Sequence, residues 1–256
     1  MVVHPATPMP HPCGMQIYGL NPVLEALRAG RVSALKVSSR DDRRVREALS
    51  LASRLRIRVE RVDQAVLDRL TRGAVHQGLV ADCEETARYS VAEIVGRARV
   101  APLVVVLDGV EDPQNLGAIL RAADAAGVDG VIRQTRHAAP LGGVAAKASA
   151  GALAHARIAE VVNITRALEE LKTLGVWTVG LAAGASMLYT DVDFRQPTAV
   201  VLGAEGTGLR RLVHDRCDLL ASIPMRGHVM SLNVAVAAGV VLFEALRQRE
   251  STRSSR

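Results

Sequence analysis

The chain has 256 residues, 49% of them apolar, and a formal net charge of +6. This length suits one large domain or two small ones and is ample for a hydrophobic core. No apolar run is long enough for a membrane-spanning helix. The three cysteines form no Cys-x-x-Cys pair, which argues against a metal cage or a disulfide framework and fits a reducing cytoplasm.

The basic charge indicates a polyanionic partner, most often a nucleic acid. Aromatic residues make up only 2% of the chain, too few for a platform on which bases stack. If the partner is RNA, we therefore expect phosphate contacts and shape to dominate its recognition.

The two ends of the chain are predicted to be disordered. Residues 1–14 contain four prolines and neither Lys nor Arg, so they lack the charged start and apolar centre of a secretory signal. We interpret them as a disordered leader and residues 250–256 as a disordered tail.

Residues 15–84 alternate between strand and helix patterns, which predicts a small α/β domain. A helix should begin with Asn21 as its cap, because Pro22 is tolerated at the first helical position. We expect a second helix at 43–55, a half-buried strand at 57–62 and another strand at 76–81. Residues 85–101 are polar and poorly patterned, which is typical of a linker with at most a helical turn.

An arginine-rich segment in this domain has two interpretations, and the sequence leaves both open. It is either a face that follows the phosphates of a nucleic acid or a solvated surface interleaved with acidic residues. Its members are Arg40, Arg43, Arg44, Arg46, Arg54, Arg56 and Arg58.

Residues 102–249 predict a second α/β domain, which opens with a buried parallel strand at 103–107. Asp112 followed by Pro113 predicts the start of a helix. Asn115 should lie at the exposed beginning of that helix and Arg121 on the face opposite the core. On this evidence alone, Arg121 is either a functional residue or a solvated one.

A glycine-rich loop, residues 203–209, follows a predicted strand at 199–202. Its spacing is neither Gly-x-Gly-x-x-Gly nor that of a Walker loop, so those kinds of nucleotide binding are not supported. Parallel α/β sheets nevertheless bind ligands at such strand ends. Glu205, the only charge in the loop, is therefore either a site residue or part of a solvated turn.

The last predicted helix begins near residue 231. Ser231 is the expected cap and Asn233 should lie in the first turn. Residues 234–243 are too apolar for a surface helix, so we expect them to be buried or to lie at a subunit interface. The two polar side chains at the mouth of this helix indicate either a reacting site or an ordinary capped core helix.

Three segments together resemble, in order and spacing, the three motifs of the SpoU branch of the SPOUT RNA methyltransferases. They are Asp-Gly-Val-Glu-Asp-Pro-Gln-Asn-Leu-Gly-Ala-Ile-Leu-Arg at 108–121, Leu-Gly-Ala-Glu-Gly-Thr-Gly-Leu at 202–209, and residues 223–236, which contain Met-Ser-Leu-Asn-Val-Ala-Val. Residues 15–84, with Tyr-Gly-Leu-Asn-Pro-Val-Leu-Glu-Ala-Leu at 18–27, resemble the substrate-binding domain of that family, which is similar to ribosomal protein L30e.

The resemblance implies an S-adenosylmethionine-dependent RNA 2'-O-ribose methyltransferase, most similar to the bacterial enzymes that act on a guanosine of 23S rRNA. It also implies an α/β catalytic domain tied in a trefoil knot and a cytoplasmic homodimer with the active site near the interface, without a metal. The implied catalytic residues are Asn115, Arg121, Glu205, Ser231 and Asn233. The implied cofactor-binding residues are Leu202, Gly203, Gly206, Ile223, Met225 and Leu232.

The chemistry gives these residue types a reason. A ribose hydroxyl is a poor nucleophile, so the protein must align it with the methyl donor and stabilise the charge that develops on its oxygen. Arg121 can do this while it stays charged, by holding the adjacent phosphate or the hydroxyl. Glu205 can orient Arg121 or meet the cofactor, and the other three can position the ribose.

Other functions stay open. Within the enzyme class, the target is a tRNA or a different rRNA nucleotide, including one whose methylation confers antibiotic resistance. In another class, the chain is a non-catalytic RNA-binding factor of ribosome assembly. A nicotinamide-dependent enzyme is disfavoured by the missing dinucleotide fingerprint.

Overall fold

The computed structural model describes residues 15–84 and 89–251, so the predicted leader lies outside the described residues. The N-terminal unit is built around a four-stranded sheet in the order β1-β4-β2-β3. Only β2 and β3 are parallel. The elements are β1 Met15–Tyr18, α1 Leu20–Arg28, β2 Val32–Val37, α2 Arg43–Arg54, β3 Arg58–Arg61, α3 Gln64–Leu70 and β4 Leu79–Cys83.

Local patterns misplaced several details of this unit. Helix α1 follows Gly19, which has a φ of +95°, and no side chain caps it. Asn21 lies inside the helix and accepts a hydrogen bond from Arg44 Nη2 at 2.6 Å. Strand β3 is exposed along its whole length rather than half-buried, because it is the edge strand beside β2. The predicted strand at 76–81 begins only at Leu79, since the turn before it holds the buried His76.

The segment predicted as a linker contains a short helix, α4 Val91–Gly96. Ser90 and Glu93 form a capping box at its start, in which each side chain binds the other residue's backbone N–H. Val91 and Ile94 are buried in the core of the second unit. This part of the connection is therefore packed against the larger sheet.

The second unit contains a seven-stranded sheet in the order β7-β6-β5-β10-β8-β11-β9, with every neighbouring pair parallel. Its elements are β5 Leu103–Asp108, α5 Pro113–Ala125, β6 Gly130–Gln134, α6 Gly143–Ala148, β7 Ile158–Val161, α7 Ile164–Thr173, β8 Trp177–Leu181, β9 Met187–Leu188, β10 Thr198–Gly203, α8 Arg211–His214, β11 Leu219–Ser222 and α9 Val234–Ser251. The last helix runs two residues into the predicted tail, and residues 252–256 lie outside the described ranges.

Alternating side chains of the central strands fill two cores. Val105 packs with α5 and α9 on one side of the sheet, whereas Val104 and Val106 pack with α4 and α7 on the other. A parallel sheet covered on both faces explains why the strand at 103–108 has no polar residue before its last position.

The two units are joined by packing and by polar contacts. The core that contains α5 and α9 continues into the N-terminal unit. Arg31 Nη1 donates to the Ala154 carbonyl at 3.1 Å, and the His155 ring lies 3.2 Å from the Glu25 carboxylate. The N-terminal unit is therefore held against the side of the sheet that carries α6. In the described parts of the chain, no helix is both long and apolar enough to cross a membrane.

Candidate active site

A cavity of about 570 Å³ lies at the carboxyl ends of three neighbouring strands, β10, β8 and β11. Its walls come from residues 181–183, from residues 202–209 and from the segment between β11 and α9. Ligands of parallel α/β proteins bind at this edge of the sheet. The volume falls within the range of roughly 300–1,000 Å³ that is typical of small-molecule sites.

The cavity gathers most of the residues that the sequence singled out. All six cofactor-binding candidates line it, and so do Glu205, Ser231 and Asn233. The cofactor-binding candidates are Leu202, Gly203, Gly206, Ile223, Met225 and Leu232. Residues from two loops that are distant in sequence therefore meet at one concave surface.

The glycine-rich loop is a tight hairpin at the rim of this cavity. The backbones of Ala204 and Gly208 exchange two hydrogen bonds, of 3.0 and 2.9 Å. A Cβ atom on Gly203 would lie 2.1 Å from the carbonyl carbon of Gly208, so only glycine fits there. Gly206 has a φ of +81°, which other residues rarely adopt. This geometry projects Glu205 from the turn toward α5.

A chain of hydrogen bonds links this loop to α5 and α9. Asn115 Nδ2 donates to Glu205 Oε2 at 3.0 Å, and Asn233 Nδ2 donates to Asn115 Oδ1 at 2.8 Å. Asn115 lies in the first turn of α5, as predicted, but it is only 7% exposed, so the prediction that this position is exposed is wrong. The chain segments that carry Glu205 and Asn233 cover this end of α5.

The cap of α9 also differs from the prediction. Asn233 Oδ1 accepts hydrogen bonds from the amides of Ala235 at 2.8 Å and Val236 at 3.4 Å, so Asn233 is the capping residue. Ser231 is not the cap and lies exposed in the preceding loop, where it lines the cavity. Asn233 thus uses its oxygen to hold the helix and its nitrogen to hold Asn115.

Arg121 does not join this cluster within the single chain. It is exposed, has no hydrogen-bonding partner among the described residues and does not line the cavity. On an α-helix, six residues correspond to about 9 Å along the axis and about 240° of rotation, so Arg121 faces away from Asn115. The prediction that Arg121 points away from the core is confirmed.

Helix α9 is buried on one side only. Ala238, Val241 and Leu242 are buried, whereas Val236 is 52% and Phe243 is 50% exposed. Helix α9 packs against α5, and the loop that precedes α9 also exposes Val229, Met230 and Leu232. An apolar surface of this kind is typical of protein–protein contacts.

Two residues near the site were not selected from the sequence. Asp108 ends β5, is fully buried and binds Arg210. Gly117 has no room for a side chain, because a Cβ atom would lie 2.4 Å from that of Ala148 in α6. Asp108 could have been selected from the sequence, because it is a carboxylate that directly follows five apolar strand residues. The packing of α6 on Gly117 had no local signal.

A partly buried polar contact fixes the start of β11, the strand that leads into the segment before α9. The Asp218 carboxylate accepts from the Thr178 amide at 2.8 Å and from its hydroxyl at 2.6 Å, and it pairs with Lys172 at 3.0 Å. Burial alone would raise the pKa of Asp218, but the hydrogen bonds from Thr178 and Lys172 outweigh it and lower the pKa.

Two family models match the chain. The model described as the SpoU rRNA Methylase family matches residues 102–243, which include the whole candidate site. The model described as RNA 2'-O ribose methyltransferase substrate binding matches residues 16–89.

Curated relatives match over almost their entire length. The 23S rRNA (guanosine-2'-O-)-methyltransferase RlmB of Pseudomonas aeruginosa is 43% identical over 240 residues, which cover 91% of this chain and 96% of the relative. The putative TrmH family tRNA/rRNA methyltransferase YacO of Bacillus subtilis is 38% identical over 91% and 95% of the two chains.

Solved structures agree in fold. The SpoU methyltransferase AviRb from Streptomyces viridochromogenes superimposes with a TM-score of 0.80 at 29% identity, covering 93% of this chain and 91% of its own. The AdoMet-bound rRNA methyltransferase from Sinorhizobium meliloti gives a TM-score of 0.78 at 29% identity, over 91% and 87%. A TrmH/SpoU tRNA modifying enzyme from A. aeolicus matches only 62% of this chain, with a TM-score of 0.55 at 30% identity and 81% coverage of its own chain.

Proposed function

We infer the activity from family membership: this chain belongs to the SpoU rRNA methylase family, and we propose that it transfers a methyl group from S-adenosylmethionine to the 2'-hydroxyl of a guanosine in 23S rRNA. The observation that carries this proposal is the match to a 23S rRNA guanosine methyltransferase across both units of the chain, at 43% identity. An rRNA substrate also supports a cytoplasmic location.

The extent of the matches favours rRNA over tRNA. The tRNA modifying enzyme from A. aeolicus covers only 62% of this chain, whereas the rRNA enzymes cover more than 90% of it. The difference is about the size of the N-terminal unit, which is the part matched by the substrate-binding model. Because this chain has the N-terminal unit, we propose rRNA rather than tRNA as its substrate.

The cavity fits S-adenosylmethionine in size and in chemistry. Leu202, Ile223 and Leu232 provide apolar walls for an adenine ring, and the loop backbones provide donors and acceptors for its polar edges. Gly203 and Gly206 allow the backbone to form this close wall. When bound, the cofactor supplies an electrophilic methyl group, and the chain must orient the hydroxyl that attacks it.

The hydrogen-bond chain Glu205–Asn115–Asn233 is well placed for that orientation, with Ser231 beside it on the cavity wall. These side chains fix one another and present polar atoms at the rim where a ribose would enter. Arg121 supplies a guanidinium group that can hold the neighbouring phosphate or stabilise the developing alkoxide. Arg121 does not line the cavity of its own chain, so it would act on the RNA from outside that cavity.

That position is explained if the protein acts as a homodimer. Helix α5, which carries Arg121, packs against α9, and α9 leaves Val236 and Phe243 exposed; we propose that a second copy covers these two side chains and that Arg121 acts at an active site near this interface. Family membership likewise supports a trefoil knot in the C-terminal part of the catalytic unit.

Part of the arginine-rich segment is suited to RNA phosphates. Arg40 pairs with Asp42, and Arg46 lies near Asp41, so these two belong to a solvated charge network. By contrast, a group of exposed arginines between the end of α2 and the edge strand β3 has no partner in the described chain. Its members are Arg54, Arg56 and Arg58 of the arginine-rich segment, together with Arg61 at the end of β3.

The first test is calorimetric titration with S-adenosylmethionine, followed by transfer of a tritiated methyl group to unmodified 23S rRNA and mapping of the methylated ribose. We expect binding and one mapped guanosine. Binding without transfer to 23S rRNA, but with transfer to tRNA, would favour the tRNA alternative. Absence of cofactor binding would favour a non-catalytic RNA-binding factor.

Two variants test the roles of Arg121 and of the dimer. Arg121→Ala should leave cofactor binding unchanged and lower methyl transfer at least a hundredfold, whereas Arg166→Ala, on the exposed side of α7, should not lower it. Phe243→Glu should convert dimers to monomers in sedimentation, whereas Val162→Glu, at a more exposed apolar side chain that follows the edge strand β7, should not. Wild-type turnover by Arg121→Ala would refute its role.

A further inference from the structure

The loop that carries Glu205 is fixed at its far end by an ion pair between a buried carboxylate, Asp108, and an exposed arginine, Arg210. Asp108 Oδ1 accepts from Arg210 Nε at 2.6 Å, and Asp108 Oδ2 accepts from the Arg210 amide at 2.8 Å. Arg210 Nη2 also lies against the same carboxylate and donates to Gln134 Oε1 at 2.6 Å. A carboxylate that is 0% exposed is thus bound entirely by the residue that follows the loop.

The other end of the loop meets the same residue. In the sheet, Gly203 at the end of β10 is paired with Asp108 at the end of β5. The chain leaves the sheet beside Asp108, turns through the hairpin at 204–208 and returns to the Asp108 carboxylate at Arg210. Asp108 therefore closes the base of the loop from both sides.

The tip of the loop is held by the same segment of the chain. Seven residues beyond Asp108, Asn115 donates to Glu205. Residues 108–115 and residues 203–210 are thus bonded at two points, with the cavity wall between them. A change at the base of the loop should alter the position of Glu205 at its tip.

We propose that Asp108 is a positioning residue of this enzyme: with Arg210 it clamps the loop that forms the cofactor wall, and it acts on methyl transfer through Glu205. This inference rests on the proposed function. Asp108 itself has no access to a substrate, because it is buried beneath the loop. Its neutral counterpart, Asn, would keep the shape but would weaken the charge-assisted bonds to Arg210.

A matched control is available at the same edge of the sheet. Glu160 on β7 lies 3.6 Å from the Nε of the buried Arg133 on β6, in another partly buried ion pair. This pair does not contact the loop at 203–210. Glu160→Gln therefore reports what the loss of a buried charge at this edge does to stability alone.

The kinetic experiment is a double-mutant cycle. We expect Asp108→Asn to lower kcat at least tenfold and Glu205→Gln at least tenfold, while the double variant is within about twofold of Glu205→Gln alone, because residues that act as a unit are not additive. Arg210→Lys, which keeps the charge but loses the planar fork, should fall between wild type and Asp108→Asn. By contrast, the effects of Glu160→Gln and Glu205→Gln on kcat should multiply in the double variant, because these two residues act independently.

Hydrogen exchange, which does not depend on turnover, tests the role of Asp108 separately from the proposed methyltransferase activity. Hydrogen exchange of the amides at 203–209 should be faster in Asp108→Asn than in wild type or Glu160→Gln at equal global stability. Unchanged exchange together with multiplicative kinetics would overturn the clamp while leaving the methyltransferase intact. If the wild-type chain transfers no methyl group, the proposed function fails, and the exchange comparison still decides whether Asp108 holds the loop.

Discussion

Replacing Asn115 with Ala tests whether the hydrogen-bond chain across the candidate site supports catalysis. The change removes one bond to the Glu205 carboxylate and one from the Asn233 amide. A bond to a charged group contributes about 1.5–3 kcal/mol to stability, and a neutral one about 0.5–1.5 kcal/mol. Because Glu205 and Asn233 are exposed, water can replace both bonds, so we expect the free energy of unfolding to fall by only about 1–2 kcal/mol.

That loss is too small to unfold a domain whose stability is about 5–15 kcal/mol. A large effect on turnover would therefore reflect the site rather than the folded fraction. We expect kcat/KM to fall about 10- to 100-fold, which corresponds to roughly 1.4–2.8 kcal/mol of transition-state stabilisation. The assays are steady-state methyl transfer, calorimetric binding of S-adenosylmethionine and urea unfolding.

The neighbouring residue provides the control. Gln114 lies in the same turn of α5, is exposed, and its side chain has no partner in the described structure. Gln114→Ala should keep wild-type kinetics. Asn115→Asp should be worse than Asn115→Ala, because it turns a donor into a second carboxylate 3.0 Å from Glu205. A folded Asn115→Ala with kcat/KM within twofold of Gln114→Ala would refute the argument.

Three further predictions concern the cavity wall and the buried titratable groups. Gly203→Ala should weaken cofactor binding more than tenfold in calorimetry, because its Cβ has no space, whereas Gly227→Ala, with open space around it, should bind normally. Burial raises the pKa of the Cys83 and Cys217 thiols to about 12, so both should resist a thiol reagent at pH 8 until the protein is unfolded; reaction in the native state would contradict their burial. Since these thiols stay protonated where unfolded thiols ionise, their effect is to reduce stability as the pH rises above 9.0. The bonds from its partners exceed the effect of burial and lower the pKa of Asp218 below its ordinary value of 3.8. Its charged form therefore stabilises the fold above pH 3.8, and this contribution is lost as the pH falls from 3.8 through the lower pKa of the folded state; Asp218→Asn should flatten the dependence of the urea midpoint on acid pH, and an unchanged profile would count against this account.

Much of the catalytic unit followed from local patterns. The apolar run at 103–107 predicted a parallel strand buried on both sides, and β5 is that strand. Asp112 and Pro113 predicted the start of α5, where Asp112 does cap the helix by accepting from the amides of Gln114 and Asn115. These features depend on neighbouring residues, so the sequence was sufficient to place them.

Two elements of the N-terminal unit, the helix α1 and the strand β3, show where local reasoning fails. Asn21 and Pro22 form a good local start signal, yet the chain enters α1 two residues earlier through Gly19, whose neighbour Leu20 donates its amide to Gln77 Oε1 at 3.0 Å. The residues at 57–62 alternate as a half-buried strand would, but β3 is an edge strand and all four of its residues are exposed. Both outcomes depend on tertiary structure: the contact with Gln77 at the start of α1, and the position of β3 at the edge of the sheet.

The sequence alone determined the order of strands and helices, the glycine-rich turn and, through the resemblance of its motifs, the family. Only the tertiary structure decided which polar side chains meet. Asn115 is buried because Glu205 and Asn233 approach it across 90 and 118 residues of sequence, and Asn233 rather than Ser231 caps α9. Periodicity and capping rules describe interactions within a few residues, whereas burial and hydrogen bonding in this site depend on where parallel strands bring their carboxyl ends together.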